Sequence, residues 1–382
     1  MPQRTMRRVA FVTNVLAHYR VRCFEALAAR LPGRIDFFLL TKSMAHRRYV
    51  LAQPQNAHPF PLHVLPGKAF GHPPYDDVHL NDPRPVLNNY DLIVLSGWIE
   101  PTFLLLWLLA HLKRTRVAFW IESTLHDAPR DTLKESFKRL LLRGAVGAVT
   151  AGTHSAAYCE SLGMPRNKIF IAPNAADSAY FGAQAQILAP QREQLRAELN
   201  LQGVVILFVG RMVDAFKNVA TLLAAQRELE QKNLDAQLVL IGEGADRARY
   251  ESLVQEWNLH NVRFVNFMAH DALCRYYAAA DIFVLPSRVE PWGFVLNEAM
   301  EFSLPLVVSN RVGAVPDLVC PNENGFLISP DDALGLATAL ETLVRDAPLR
   351  ARMGARSREI IARHTPDAWA DGFANALETM LQ

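Results

Sequence analysis

Short runs of consecutive apolar residues alternate with longer stretches in which apolar positions recur every three or four residues, and the alternation continues along the chain. Apolar runs of this length read as strands buried on both faces, and the amphipathic stretches between them as covering helices. The first half predicts strands at 9–13, 35–40, 92–95, 117–120, 145–150 and 169–171, and the second at 204–209, 237–241, 263–265, 282–285 and 306–308. Strand and helix in regular alternation give parallel sheets with helices on both faces, so the expected fold class is α/β with two doubly wound, Rossmann-like domains. Between Pro173 and Leu201 the strand pattern gives way to a Gln/Ala-rich segment, which predicts a division into domains 1–178 and 179–365. A ligand at the carboxyl ends of both sheets would then sit in a cleft between them. Residues 54–85 carry eight prolines and four histidines and read as a long irregular excursion in the first domain.

Composition narrows the classes. A chain of 382 residues exceeds what one core holds, in agreement with two domains. Forty basic against 38 acidic residues leave a net charge of +2, which excludes a broad electrostatic footprint for nucleic acid. Basic residues gather only locally, at Arg4, Arg7 and Arg8 and at Lys134, Lys138, Arg139 and Arg143. The four cysteines are far apart and form no Cys-x-x-Cys pair, as expected of reduced thiols in a cytoplasmic protein. The polar N-terminal residues run straight into a strand with no apolar leader core. The most apolar run, 103–110, is eight residues, against the roughly 20 that cross a bilayer. Segment 131–143 has Leu133, Phe137, Leu140 and Leu141 with cations between them; it reads equally as a helix on an anionic membrane surface and as a domain helix with a wet basic face.

The densest chemistry lies at 281–300, Asp-Ile-Phe-Val-Leu-Pro-Ser-Arg-Val-Glu-Pro-Trp-Gly-Phe-Val-Leu-Asn-Glu-Ala-Met. The run 282–285 is a buried strand ended by Pro286, and Pro291 with Gly293 forces a turn before a helix containing Glu298 in its first turn. Backbone N–H groups at Gly293, Phe294 and Val295 then face outward beyond the strand end, where they and the helix dipole favour an anion. Glu290 and Glu298 can accept hydrogen bonds from sugar hydroxyls.

The Glu-x7-Glu spacing of Glu290-Pro-Trp-Gly-Phe-Val-Leu-Asn-Glu298 resembles the signature of the retaining nucleotide-sugar glycosyltransferases of family 4. The resemblance is strongest from 204 to 332 and implies the GT-B fold, with two Rossmann-like domains facing across a cleft and a final helix, 366–382, crossing back to the first. It also implies that Glu290 contacts the donor sugar and Glu298 the nucleotide ribose. Gly210-Arg211 and Lys217-Asn218 follow strand 204–209 and are similar to the family's diphosphate clamp, Arg as a bidentate fork and Lys as a point charge. Gly242 in Ile-Gly-Glu-Gly, with Phe267 and Met268, matches where the family seats the base, although the glycine reads equally as a plain strand-to-helix turn. His126, in Trp-Ile-Glu-Ser-Thr-Leu-His-Asp, falls where the family often has a His near the reacting centre, and Glu122 is a rival polar group in the same loop. The loop 14–20 departs from the family's glycine-rich pattern, and His18, Tyr19 and Arg20 are expected to shape the acceptor side.

The chain has no Asp-x-Asp, so no essential metal or cofactor is expected; Arg211, Lys217 and the helix dipole would carry the leaving-group charge. The reaction so implied moves a sugar, with retention, from a nucleotide-diphosphate donor to an acceptor hydroxyl, in polysaccharide, lipopolysaccharide or glycolipid assembly. The acceptor would be a glycan or lipid-linked, with peripheral contact at the inner membrane face. A nucleotide-sugar epimerase of the same fold and a non-catalytic nucleotide-sugar-binding protein are the alternatives. An oxidoreductase is disfavoured, because no Gly-x-Gly-x-x-Gly follows either first strand.

Overall fold

The computed structural model describes residues 7–44, 47–50, 58–71, 78–98, 100–128 and 130–382, with the backbone alone for 43–44 and 47–50. Arg4 and parts of the 54–85 segment lie outside these residues. The chain divides into two compact units. One comprises 1–125, 129–175 and 366–382; the other comprises 126–128 and 176–365.

The first unit contains β1 (Val9–Thr13), β2 (Ile35–Leu39), β3 (Ser43–Met44), β4 (Arg47–Val50), β5 (Leu62–Val64), β6 (Gly67–Phe70), β7 (Val78–Asn81), β8 (Leu92–Leu95), β9 (Arg116–Ile121), β10 (Gly147–Thr150) and β11 (Ile169–Ile171). Its main sheet runs β11-β10-β9-β8-β1-β2-β5, with parallel pairing throughout. Successive residues of β1 point to opposite faces. Val9 and Phe11 therefore join one core, and Ala10 and Val12 the other.

The first of these cores is closed by the helix Pro366–Leu381, whose Trp369, Phe373 and Leu377 pack among Phe11, Phe24 and Trp120. The Phe11 and Phe373 rings lie 5.4 Å apart. Burying each such side chain stabilises by about 1.5–3 kcal/mol.

The described parts of the 54–85 excursion include strands. Leu62–Val64 pairs with β2 as the sheet's edge strand, a position that tolerates flanking proline. Gly67–Phe70 and Val78–Asn81 form an antiparallel hairpin. The buried Asn81 anchors it, its amide donating to the Leu40 and Leu65 carbonyls at 3.0 and 2.9 Å.

The second unit contains β12 (Val204–Val209), β13 (Ala236–Ile241), β14 (Val262–Val265), β15 (Ile282–Leu285), β16 (Leu306–Ser309) and β17 (Gly325–Ile328). The order β14-β13-β12-β15-β16-β17 is again wholly parallel. Its strand order reverses between β12 and β15, and a crevice outside the carboxyl ends at such a reversal is where doubly wound sheets bind ligands.

Candidate active site

The 281–300 motif and the loop after β12 meet at the β12/β15 reversal through Lys217, Asn218 and Arg288. After β12 the chain passes Gly210 and Arg211, makes the short helix Asp214–Lys217, and turns through Asn218 with φ +57° into the helix Val219–Gln231. Lys217 thus ends one helix instead of opening the next, because Asn218 adopts the left-handed conformation that asparagine tolerates better than most residues. The buried Asn218 side chain donates to the Pro286 carbonyl at 3.2 Å, which ties this loop to the end of β15. Arg288 completes the tie. Its backbone N–H donates to the Phe216 carbonyl at 2.8 Å, and its guanidinium reaches Asp214 Oδ2 at 3.0 Å and Asp331 Oδ1 at 2.7 Å.

Held in this way, Lys217 Nζ forms an ion pair with Glu290 Oε2, and both side chains are largely buried. Arg211 lies on the same loop and is exposed; among the described residues its guanidinium has no hydrogen-bond or ion-pair partner. Asp214 sits beneath. Burial alone would raise its pKa, but the Ala220 amide, the Tyr250 hydroxyl and Arg288 together hold it below the usual carboxylate range.

Gly293 starts the helix Phe294–Glu301 with φ +98°, and no side chain caps that start. A Cβ at Gly293 would press on Val312, Glu290 and Leu285 at 3.2–3.3 Å, so the position calls for glycine on both conformation and space. Glu290 itself bridges to Val312, and its carbonyl accepts from the Gly313 amide at 2.9 Å. Glu298 is the fifth residue of this helix, beyond the first turn, which corrects the expected placement. The helix starts only after Gly293, since the αL residue cannot be part of it. Glu298 is 7% exposed and accepts from the fully buried Tyr277 hydroxyl at 2.8 Å. Burial pushes its carboxyl up to about 7, against a smaller opposing effect of the Tyr277 hydrogen bond.

Gly242, with φ +145°, follows β13, and a Cβ there would stand 2.0 Å from the Gly210 carbonyl oxygen. Close packing of the chain on its own neighbouring loop is therefore sufficient reason for this glycine. Phe267 is exposed and Met268 half-buried just past the end of β14. His126 belongs with 126–128 to the second unit, where Arg311 Nη1 lies 2.9 Å from His126 Nδ1. A guanidinium only donates, so Nδ1 accepts and the ring proton sits on Nε2.

In the first unit, His18, Tyr19 and Arg20 form a 3-10 turn after β1. His18 is exposed and Tyr19 half-buried, but Arg20 is buried, its guanidinium 4.3 Å over the Trp120 ring and bonded to Glu122 and Asn174. The donors of Arg20 are therefore turned inward, onto Glu122 and Asn174. Sequence reading missed Asp214, in the same loop as Lys217, and Arg288 and Tyr277, which reach Asp214 and Glu298 from elements remote in the chain. The asparagine directly after Lys217 was the one local signal. Among the described residues, no group of three or more His, Cys, Asp or Glu side chains could hold a metal ion.

Comparison with known proteins names the second unit. Residues 191–360 match the family of glycosyl transferases group 1. The D-inositol 3-phosphate glycosyltransferase of Corynebacterium diphtheriae is 35% identical over 212 residues, 52% of this chain and 48% of that one. The enzyme of the same name from Corynebacterium aurimucosum is 30% identical over 70% of this chain and 66% of its own. The chain thus spans between about half and two thirds of the length of these relatives. HepE of Anabaena, solved with UDP and glucose, superposes with a TM-score of 0.74 at 18% identity, covering 98% of this chain and all of that one. The fold is GT-B, and the group 1 match covers Arg211, Lys217, Glu290 and Glu298 together.

Proposed function

We propose that the protein is a retaining, metal-independent family 4 glycosyltransferase that moves a sugar from a nucleotide-diphosphate donor to an acceptor hydroxyl. The observation that carries the reading is the Lys217–Glu290 ion pair at the β12/β15 reversal, which joins residues 73 apart in sequence, with Arg211 on the loop of Lys217 and a helix start without a side-chain cap at Gly293. Cations, the backbone amides of a helix start and a carboxylate at one strand-end crevice are the complement of a diphosphate joined to a sugar. In this reading Arg211, Lys217 and the amides of Gly293, Phe294 and Val295 take the diphosphate. Glu290 takes donor-sugar hydroxyls and Glu298 the ribose diol, while Gly242, Phe267 and Met268 border the base. His126, with its proton on Nε2, would donate to a donor-sugar oxygen. As the glycosidic bond breaks, charge grows on the leaving phosphate, where the two cations act, and a phosphate oxygen takes the acceptor proton on the same face.

The names of the relatives support a sugar-transfer reaction, and the UDP and glucose bound to HepE support a nucleotide-sugar donor. A melting-temperature screen against UDP-, GDP- and ADP-sugars tests it. A ligand at 100 times its dissociation constant adds about 2.7 kcal/mol, and no shift with any donor would refute the reading. Product analysis without acceptor separates transfer from epimerisation.

The acceptor is proposed to be a glycan or lipid-linked hydroxyl at the inner face of a membrane. The helix Thr132–Arg143 supports surface contact: Leu133, Phe137 and Leu140 are 83%, 44% and 55% exposed on one stripe, with Lys134, Arg139 and Arg143 exposed around it. No helix among the described residues is long and apolar enough to cross a membrane. Co-sedimentation with phosphatidylglycerol vesicles should fall when Leu133 and Leu140 become Asp; equal sedimentation would remove the contact.

A further inference from the structure

The loops after three strands of the first unit converge on one carboxylate. Arg20 comes from the turn after β1, Glu122 directly follows β9, and Asn174 lies beyond β11. Arg20 Nη2 donates to Glu122 Oε1, Asn174 Nδ2 donates to the same oxygen at 2.6 Å, and Arg20 Nη1 donates to Asn174 Oδ1 at 2.7 Å. Ser155, in the helix that follows β10, fixes the backbone by donating to the Glu122 carbonyl at 3.0 Å. Arg20, Asn174 and Ser155 are all buried, yet the Glu122 side chain is 41% exposed. Both side-chain donors use Oε1, and Oε2 has no partner among the described residues.

We infer that Glu122 is an acceptor-binding residue, its Oε2 receiving a hydrogen bond from a hydroxyl of a neutral sugar or polyol. The inference rests on the transfer reaction proposed above and supplies the group of the first unit that meets the acceptor. A structural staple between strand ends recovers the most desolvation cost when every lone pair is bonded and covered. Here the buried donors immobilise one half of a carboxylate and leave the other half in solvent at the carboxyl ends of the sheet, where doubly wound domains place ligands. An ionised carboxylate only accepts hydrogen bonds, so it selects hydroxyl donors and offers nothing to a phosphate. Immobilisation by three elements means that little side-chain entropy remains to be lost on binding.

The test is saturation-transfer NMR on the full chain with four probes: methyl α-D-glucopyranoside, methyl α-D-galactopyranoside, methyl α-D-mannopyranoside and myo-inositol. UDP-induced melting shifts are measured in parallel. Glu122→Gln keeps an oxygen for Arg20 and Asn174 but presents an NH2 where Oε2 stood. The wild type should saturate at least one probe, and the variant should bind that probe about tenfold more weakly, the scale of one hydrogen bond to a charged group. Its UDP shift should equal that of the wild type, while its melting temperature should fall because the buried Arg20 loses its counter-charge. Equal probe binding by the two proteins, or no saturation of any probe by a wild type that responds to UDP, overturns the inference alone. Probe binding that depends on Glu122 without any UDP response would leave it standing and exclude a uridine donor. Arg20→Lys, which keeps the charge but loses the fork, should weaken the same probe and not the UDP shift.

Discussion

Glu298→Gln should stabilise the protein, and by an amount that depends on pH. The Glu298 carboxyl is raised by burial from 4.5 to about 7. Between those values the native chain holds a proton that the unfolded chain has released, so stability falls as pH rises through the interval. A shift of this size corresponds to about 3 kcal/mol, reached fully above pH 7. Glutamine removes the titration while its carbonyl still accepts from Tyr277. The gain of the variant over wild type should therefore be near zero at pH 4.5, grow through pH 6, and level off above pH 7. Thermal melts of both proteins from pH 4.5 to 8 read it directly, at about 2–4 °C per kcal/mol for a unit of this size. Parallel melting curves across the range would refute the claim that a buried, destabilised carboxylate is held at this position. Nucleotide binding in the variant should weaken at the same time, because a carboxylate kept out of water is the group that a ribose diol would satisfy.

Lys217→Met leaves Glu290 without its ion-pair partner and removes a diphosphate contact. Donor affinity, measured by calorimetry with the nucleotide sugar that gives a melting shift, should fall by about 1.5–3 kcal/mol. Gly313→Ala places a Cβ 1.8 Å from the Pro291 carbonyl oxygen, so the Glu290 turn must move. Both the melting temperature and the nucleotide-induced shift should drop, and a normal shift would show that the turn is dispensable. Arg311→Met frees His126 Nδ1 from its donor, and 15N NMR should report a change from the Nε2–H tautomer toward a mixture; an unchanged tautomer would separate the two residues.

Much of the fold was legible because buried parallel strands are nearly pure apolar runs. Residues 9–13, 92–95, 204–209 and 282–285 carry no polar residue except a terminal threonine, and they are strands with those limits. Leu62–Val64 and Gly325–Ile328 escaped notice because edge strands are short and flanked by proline, histidine or asparagine. Of the candidate site, the carboxylates and cations were visible as local spacing. What holds them was not: Arg288 reaches Asp214, 74 residues away, and Tyr277 reaches Glu298 from another helix. The burial of Arg20 was not legible either, since Trp120, Glu122 and Asn174 close over it from remote parts of the chain.

The helix Pro366–Leu381 has a consequence for biosynthesis. Because Trp369, Phe373 and Leu377 complete the aromatic core around Phe11, the first unit cannot finish its interior until residues 366–381 leave the ribosome. Residues 176–365 meet no such delay and can mature earlier, reversing the usual N-to-C order of domain folding. A nascent chain stalled before Pro366 should thus present protease-resistant C-terminal material joined to a leading segment that chaperones still recognise.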